Sequence, residues 1–158
     1  MTGVFRNIAV ITMYLGNNNI TDIESEAFYN LSRISVIYLT GNPIHTIRTD
    51  AFNNLPVTRI DFSGSRISVI ESRAFNNLWQ LDALNTLGHI TKINTEAFFN
   101  LPSLNTLLLQ FNSLTRIEEN TFCNLPVLKN LILSANKITT LKKKSFCNLP
   151  ALLQMYVF

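Results

Sequence analysis

Apolar runs long enough to cross a bilayer are missing from this chain: its longest are a few residues, such as Leu107 to Leu109, against the roughly 20 that a helical span requires. A charged start, an apolar stretch and a small-residue cleavage site do not occur in that order in residues 1 to 19, so no secretory leader is read there. Glycine is scarce, at five residues, and no glycine-rich phosphate loop is present. The two histidines, His45 and His89, stand alone, and no Ser-His-Asp order or paired-carboxylate context stands out. Enzymatic chemistry, cofactors and metal binding are therefore not expected. Charged residues make up only 15% of the chain while 47% is hydrophobic, a balance that fits a folded domain and excludes a disordered tail.

A net charge of +3 is too small to imply nucleic acid, and aromatic and basic residues are not interleaved as base stacking requires. The charge is uneven, however. Glu119 is the last acidic residue, and Lys129, Lys137, Lys142, Lys143 and Lys144 follow it. A solvated face and a site for an anionic partner both remain open for this basic patch.

What the chain does have is a period. Phe28, Phe52, Phe75, Phe98, Phe122 and Phe146 are separated by 24, 23, 23, 24 and 24 residues. Each is followed two positions on by Asn and three on by Leu, so F-x-N-L recurs six times. Self-similarity at this period is the signature of a stacked repeat protein. Upstream of each phenylalanine lies a second block, clearest where Leu104, Leu107, Leu109, Asn112 and Leu114 form L-x-x-L-x-L-x-x-N-x-L, and again from Leu128 to Ile138. Val10 to Ile20 and Ile34 to Ile44 fit the same frame, with Asn18 and Asn42 at the asparagine position. Two copies depart from it. Ser65 replaces the asparagine in the third, where the link from Leu55 to Val57 is also a residue short. The fourth is a residue short from Asn85 to Ile90 and lacks the asparagine, so a kinked or loosely bonded turn is expected near 85 to 90.

On these motifs the chain resembles the leucine-rich repeat family, in its 24-residue type with a convex phenylalanine, as in Toll-like receptor, variable lymphocyte receptor and Slit ectodomains. The resemblance covers nearly all of the sequence. It implies an α/β fold: a right-handed, curved solenoid with a parallel β-sheet on the concave face and irregular or short helical turns on the convex face. It also implies an extracellular protein that recognises protein ligands, as receptor and innate-immune ectodomains do, with no membrane contact by this segment. The competing class is a structural or adhesive scaffold assembling through its edges or convex side, and a cytosolic regulatory solenoid is a third reading.

Period-2 alternation within L-x-x-L-x-L predicts seven short strands, centred near residues 13, 37, 60, 84, 107, 131 and 155. Stacked copies would share one core, because a single repeat cannot bury its own apolar set. The repeat asparagines should turn inward and bond backbone groups, the phenylalanines should form a convex spine, and the asparagine of F-x-N-L should brace a convex turn. Residues 1–158 read as one domain of about six and a half repeats, cut inside a repeat at each end and open to self-association there.

Binding in such a family uses the outward residues of the strands. The middle outward column is Tyr14, Tyr38, Asp61, Asn85, Leu108, Ile132 and Tyr156; beside it run Thr12, Val36, Arg59, Ala83, Thr106, Asn130 and Gln154. From these, Thr12, Tyr14, Val36, Tyr38, Arg59, Asp61, Asn85, Leu108, Ile132 and Tyr156, with Phe111 at a strand exit, form the candidate ligand face. Tyrosines at both flanks and an Arg59/Asp61 pair suit a protein partner better than a small molecule. Cys123 and Cys147 hold the same place in adjacent repeats; a disulfide is conceivable, and duplication of one repeat explains the pair equally well. Asn19 and Asn30 begin glycosylation sequons, which asparagine, serine and threonine this frequent also produce by accident.

Overall fold

The computed structural model describes residues 4–86 and 89–157. Seven strands, Thr12–Tyr14, Val36–Tyr38, Arg59–Asp61, Ala83–Asn85, Thr106–Leu108, Asn130–Ile132 and Gln154–Tyr156, pair in sequence order into one parallel sheet. They fall where the alternation of the leucine blocks places them. Each opens one coil, numbered 1 to 7 here.

The expected helical turns are absent. No helix occurs among the described residues, and the α/β assignment gives way to an all-β, parallel-strand solenoid. After the concave strand each of coils 1 to 6 makes a two-residue lateral strand, from Asp22–Ile23 to Thr140–Leu141, and a two-residue convex strand, from Phe28–Tyr29 to Phe146–Cys147. The physical reason lies at the corners. Asn17, Gly41, Gly64, Phe111 and Ala135 have positive φ just after the concave strands. So do Glu26, Asp50, Arg73, Glu96, Asn120 and Lys144, two residues before each convex phenylalanine, and the F-x-N-L asparagines from Asn7 to Asn148. A left-handed residue reverses the chain in one step. In coils 1, 2, 3, 5 and 6 three such corners leave short extended edges between them and no room for a helical turn.

Inside the prism lies one continuous apolar cluster running from Met13 to Leu133. Seven phenylalanine rings stack along its convex side from Phe5 to Phe146, with centroids 5.1–5.9 Å apart and planes within 16° of parallel. Phe62 takes the place of a leucine in coil 3 and meets Phe52 and Phe75 edge-on. Thr86, the residue at that place in coil 4, is buried with its hydroxyl unpartnered, so a larger side chain stands next to a smaller one.

The asparagine ladder forms as expected at three junctions. Asn42 Nδ2 donates to the carbonyls of Leu15 and Leu39 at 2.9 Å, while its Oδ1 accepts from Ile20 N–H. Asn112 ties Thr86 and Ile90 to its own coil, and Asn136 ties Leu109 and Leu114. Asn18 is exposed and bonds only within its own turn, to Leu15 and Gly16. The turn expected to be kinked includes Leu87 and Gly88, which lie outside the described residues; on either side of them, the Thr86 carbonyl and the Ile90 amide are both held by Asn112.

Ser65 is buried with an unpartnered hydroxyl. Asparagine there would reach the Leu39 carbonyl and the Ile44 amide, the equivalents of Leu15 and Ile20 one coil earlier. Ser65→Asn should therefore raise stability by about 1 kcal/mol, or roughly 3 °C in melting temperature for a chain of this size. A lower melting temperature in differential scanning calorimetry would refute this account of the ladder.

Coil length is not constant, and the sheets break accordingly. The convex strands of coils 2, 3 and 4, which are 23 residues apart, form their own three-stranded sheet. The lateral sheet stops between Lys92–Ile93 and Arg116–Ile117, where the spacing returns to 24. Pairing is lost on some edges where the spacing differs within one junction: between coils 3 and 4 it is 24 on the concave edge and 23 on the other two, and between coils 4 and 5 it is 23 on the concave edge and 24 on the other two.

Candidate functional site

On the concave sheet the period-2 alternation sends Met13, Ile37, Ile60, Leu84, Leu107 and Leu131 into the core and leaves their neighbours facing outward. Tyr14 and Tyr38, register partners in coils 1 and 2, stack with ring centroids 5.1 Å apart and planes 8° from parallel. Arg59 of coil 3 extends the stack, with its guanidinium 5.9 Å from the Tyr38 centroid. The same guanidinium bonds Asp61 at 3.1 Å. Tyrosine, tyrosine and arginine thus form one continuous strip.

Asp61 is a fixed carboxylate. Its Oδ1 accepts from Ser63 N–H at 2.9 Å and from Ser63 Oγ at 2.6 Å. Partial burial pushes its pKa upward, but the Ser63 hydrogen bonds and the Arg59 charge outweigh it and hold the carboxyl below the usual aspartate value. The stabilisation from this depressed pKa is present above the unfolded-state value and is lost as the pH falls through the folded one. Near neutrality the strip keeps a paired, ionised Arg59/Asp61 couple.

Beside that couple the sheet dips. A depression of about 340 Å³ is lined by Thr58, Arg59, Ile60, Asp61, Ser63, Asp82, Ala83, Leu84, Asn85 and Leu108. Four of the candidate residues, Arg59, Asp61, Asn85 and Leu108, are thereby gathered around one hollow. Its floor is low because Ala83 is the smallest side chain of the outward columns. Thr12 and Val36 sit half-buried beside the tyrosine pair. Ile132 is the register partner of both Leu108 and Tyr156, so Tyr156 lies two coils beyond the hollow. Thr58, Ser63 and Asp82 escaped the sequence reading because they stand just outside the strands, beyond the reach of an alternation argument.

Phe111 is not on a strand. It occupies the corner after the concave strand of coil 5 with φ of 57° and 67% exposure. Glycines hold this corner in coils 2 and 3. A bulky residue in left-handed conformation is strained without packing to compensate it. Phe111→Gly should stabilise the fold by about 0.5–1 kcal/mol, while removing an aromatic side chain from the rim of the concave face. Thermal denaturation checks the first effect, and a drop in melting temperature would contradict it.

Cys123 and Cys147 are register partners in the convex strands, with Cα atoms 4.6 Å apart, and they are joined by a disulfide. Of the two explanations left open by sequence, the bridge is the one formed. Lys129, Lys137, Lys142, Lys143 and Lys144 are all exposed, and none is in an ion pair among the described residues. Among the described residues no three His, Cys, Asp or Glu side chains converge as a metal site would require, and no helix is long and apolar enough to cross a membrane.

Stacked parallel coils with an inward aliphatic ladder and one exposed sheet define a repeat scaffold. The comparisons with known proteins agree. The family model described as BspA type leucine rich repeat region, in 6 copies, matches residues 45–157, and a leucine rich repeat model matches residues 8–59. The chain belongs to the leucine-rich repeat family, whose members are generally non-enzymatic protein-interaction modules. Among curated proteins none matches the chain.

Proposed function

We propose that this chain is a protein-recognition module, the ligand-binding ectodomain or part of the ectodomain of a receptor or immune-type leucine-rich repeat protein, and that it binds through its concave face. The observation that carries this reading is the strip from Tyr14 through Tyr38 to Arg59, continuous with the hollow at Asp61, Asn85 and Leu108. Stacked aromatics and an arginine held by a carboxylate are pre-ordered groups, and they lose little freedom when a partner covers them. Thr12, Val36, Ile132, Tyr156 and Phe111 extend the face to either side.

An extracellular setting is part of the proposal. The Cys123–Cys147 disulfide supports it, because such bridges persist in oxidising compartments. Family membership supports it too, since BspA-type repeats are often extracellular or surface-associated. The 24-residue, Toll-like-receptor type of repeat belongs to the same reading.

The test is the triple variant Tyr38→Ala, Arg59→Ala, Leu108→Ala. A partner captured from extracellular fluid of the source is purified, and its affinity for parent and variant is compared. At least a hundredfold loss with unchanged melting supports concave recognition. Full binding by the triple variant, with loss instead on reversing Lys142, Lys143 and Lys144 to glutamate, refutes it. If the triple variant loses only self-association, the scaffold reading takes its place.

A further inference from the structure

Between successive coils, the carbonyl just before the concave strand accepts two amides from the next coil. Ile11 O accepts from Ser35 and Val36, Ser35 O from Thr58 and Arg59, and Asp82 O from Asn105 and Thr106. Asn105 O and Lys129 O repeat the pattern at the last two junctions. The junction of coils 3 and 4 is the exception. Among the described residues neither Asp82 N–H nor Ala83 N–H bonds Thr58 O, and the strand pairing shrinks to one partnership, Asn85 with Asp61. No repeat asparagine clamps this junction either, because coil 4 lacks one.

The fissure opens into the concave hollow, of which Thr58, Asp82 and Ala83 are lining residues. It therefore offers one backbone acceptor, Thr58 O, and two adjacent backbone donors, Asp82 and Ala83 N–H, on three exposed residues of which Ala83 carries only a methyl group. A peptide unit presents the complementary set: a carbonyl to accept from Asp82 or Ala83 N–H, and an amide to donate to Thr58 O. The exposed Asp82 carboxylate has no ion-pair partner among the described residues, whereas Asp61 is already matched by Arg59. The hollow thus carries one uncompensated negative charge.

The geometry points to a peptide-binding subsite at the junction of coils 3 and 4, which takes an extended segment by its backbone and a lysine or arginine side chain through Asp82. This deepens the concave-face reading proposed above and rests on it for its biological use, but the binding chemistry is its own. A basic peptide would pair these backbone groups and the Asp82 carboxylate at once.

The experiment is a residue-resolved NMR titration of the whole ¹⁵N-labelled chain with three probes: acetyl-Ala-Lys-Ala-amide, acetyl-Ala-Glu-Ala-amide and butylammonium. The lysine peptide should shift the Asp82 and Ala83 amides most and bind at least tenfold more tightly than either other probe. Ala83→Val, which places a β-branched side chain over the fissure, should abolish those shifts without changing the melting temperature. Asp82→Asn should keep the shifts and bring the Lys/Glu preference close to one. Equal binding of all three probes, shifts centred elsewhere, or undiminished binding by a folded Ala83→Val overturns the subsite. If the subsite binds the lysine peptide while the partner ignores the concave triple variant, the recognition reading fails and the subsite stands. If the partner needs the concave face but is indifferent to Ala83→Val and to Asp82→Asn, and the lysine peptide does not bind, the subsite alone fails.

Discussion

Replacing Phe75 with alanine should destabilise the protein by about 3–5 kcal/mol, the usual cost of deleting a buried aromatic ring. Phe75 is fully buried and stacks between Phe52 and Phe98, with Phe62 edge-on against it. Removing it leaves a cavity that coils 2, 3 and 4 all face, and their concave and convex edges are too short to collapse into it. Against a typical total stability of about 5–15 kcal/mol, this one ring is a sizeable share. Phe146 is only half-buried and touches one stacked neighbour, Phe122, so Phe146→Ala should cost clearly less. Urea denaturation of both variants measures the contrast. Equal losses would show that the spine is not a cooperative column.

Removing the disulfide with Cys123→Ser and Cys147→Ser should have the second-largest effect. The bridge closes a loop with a sequence separation of 24, for which the chain-entropy model assigns about 3 kcal/mol. In a solenoid that energy is local, because each coil contacts only its neighbours. Coil 7 and the outer half of coil 6 should fray first, where Leu141, Leu153 and Met155 are already exposed. Calorimetry should record a melting temperature lower by roughly 10 °C, with amides of residues 130–156 exchanging faster and those of coils 1 to 3 unchanged. Identical melting of parent and double variant would mean that the bridge carries no stability.

What could be foreseen from sequence was whatever repeats with a recognisable residue type. The inward leucines and the phenylalanine column located seven strands and a spine, because burial forces the same residue class at each turn. The ladder asparagines were legible for the same reason, since a buried amide must find partners. The convex and lateral strands were not, since two residues between corners are too few to alternate. One corner column holds Glu26, Asp50, Arg73, Glu96, Asn120 and Lys144; their only common property is a backbone angle. The candidate face was readable as a column of outward positions. The hollow within it was not, because besides the small Ala83 it needs the reduced strand pairing of coils 3 and 4, and a spacing of 23 or 24 does not say which edge gives way. Cys123 and Cys147 show the same limit: equivalent positions were evident, while the 4.6 Å approach needed the convex strands to be in register.

The repeat builds a hydrogen-bonded stack, and the binding proposed above is placed where that stack is broken. Amide hydrogen exchange in the free chain, resolved by residue, tests this most directly. Ser35, Val36, Thr58, Arg59, Asn105, Thr106, Lys129 and Asn130, all donors to the neighbouring coil, should be protected, and Asp82 and Ala83 should exchange on the order of a hundredfold faster. Protection of Asp82 and Ala83 equal to that of their counterparts in the other coils would mean that the concave sheet is unbroken.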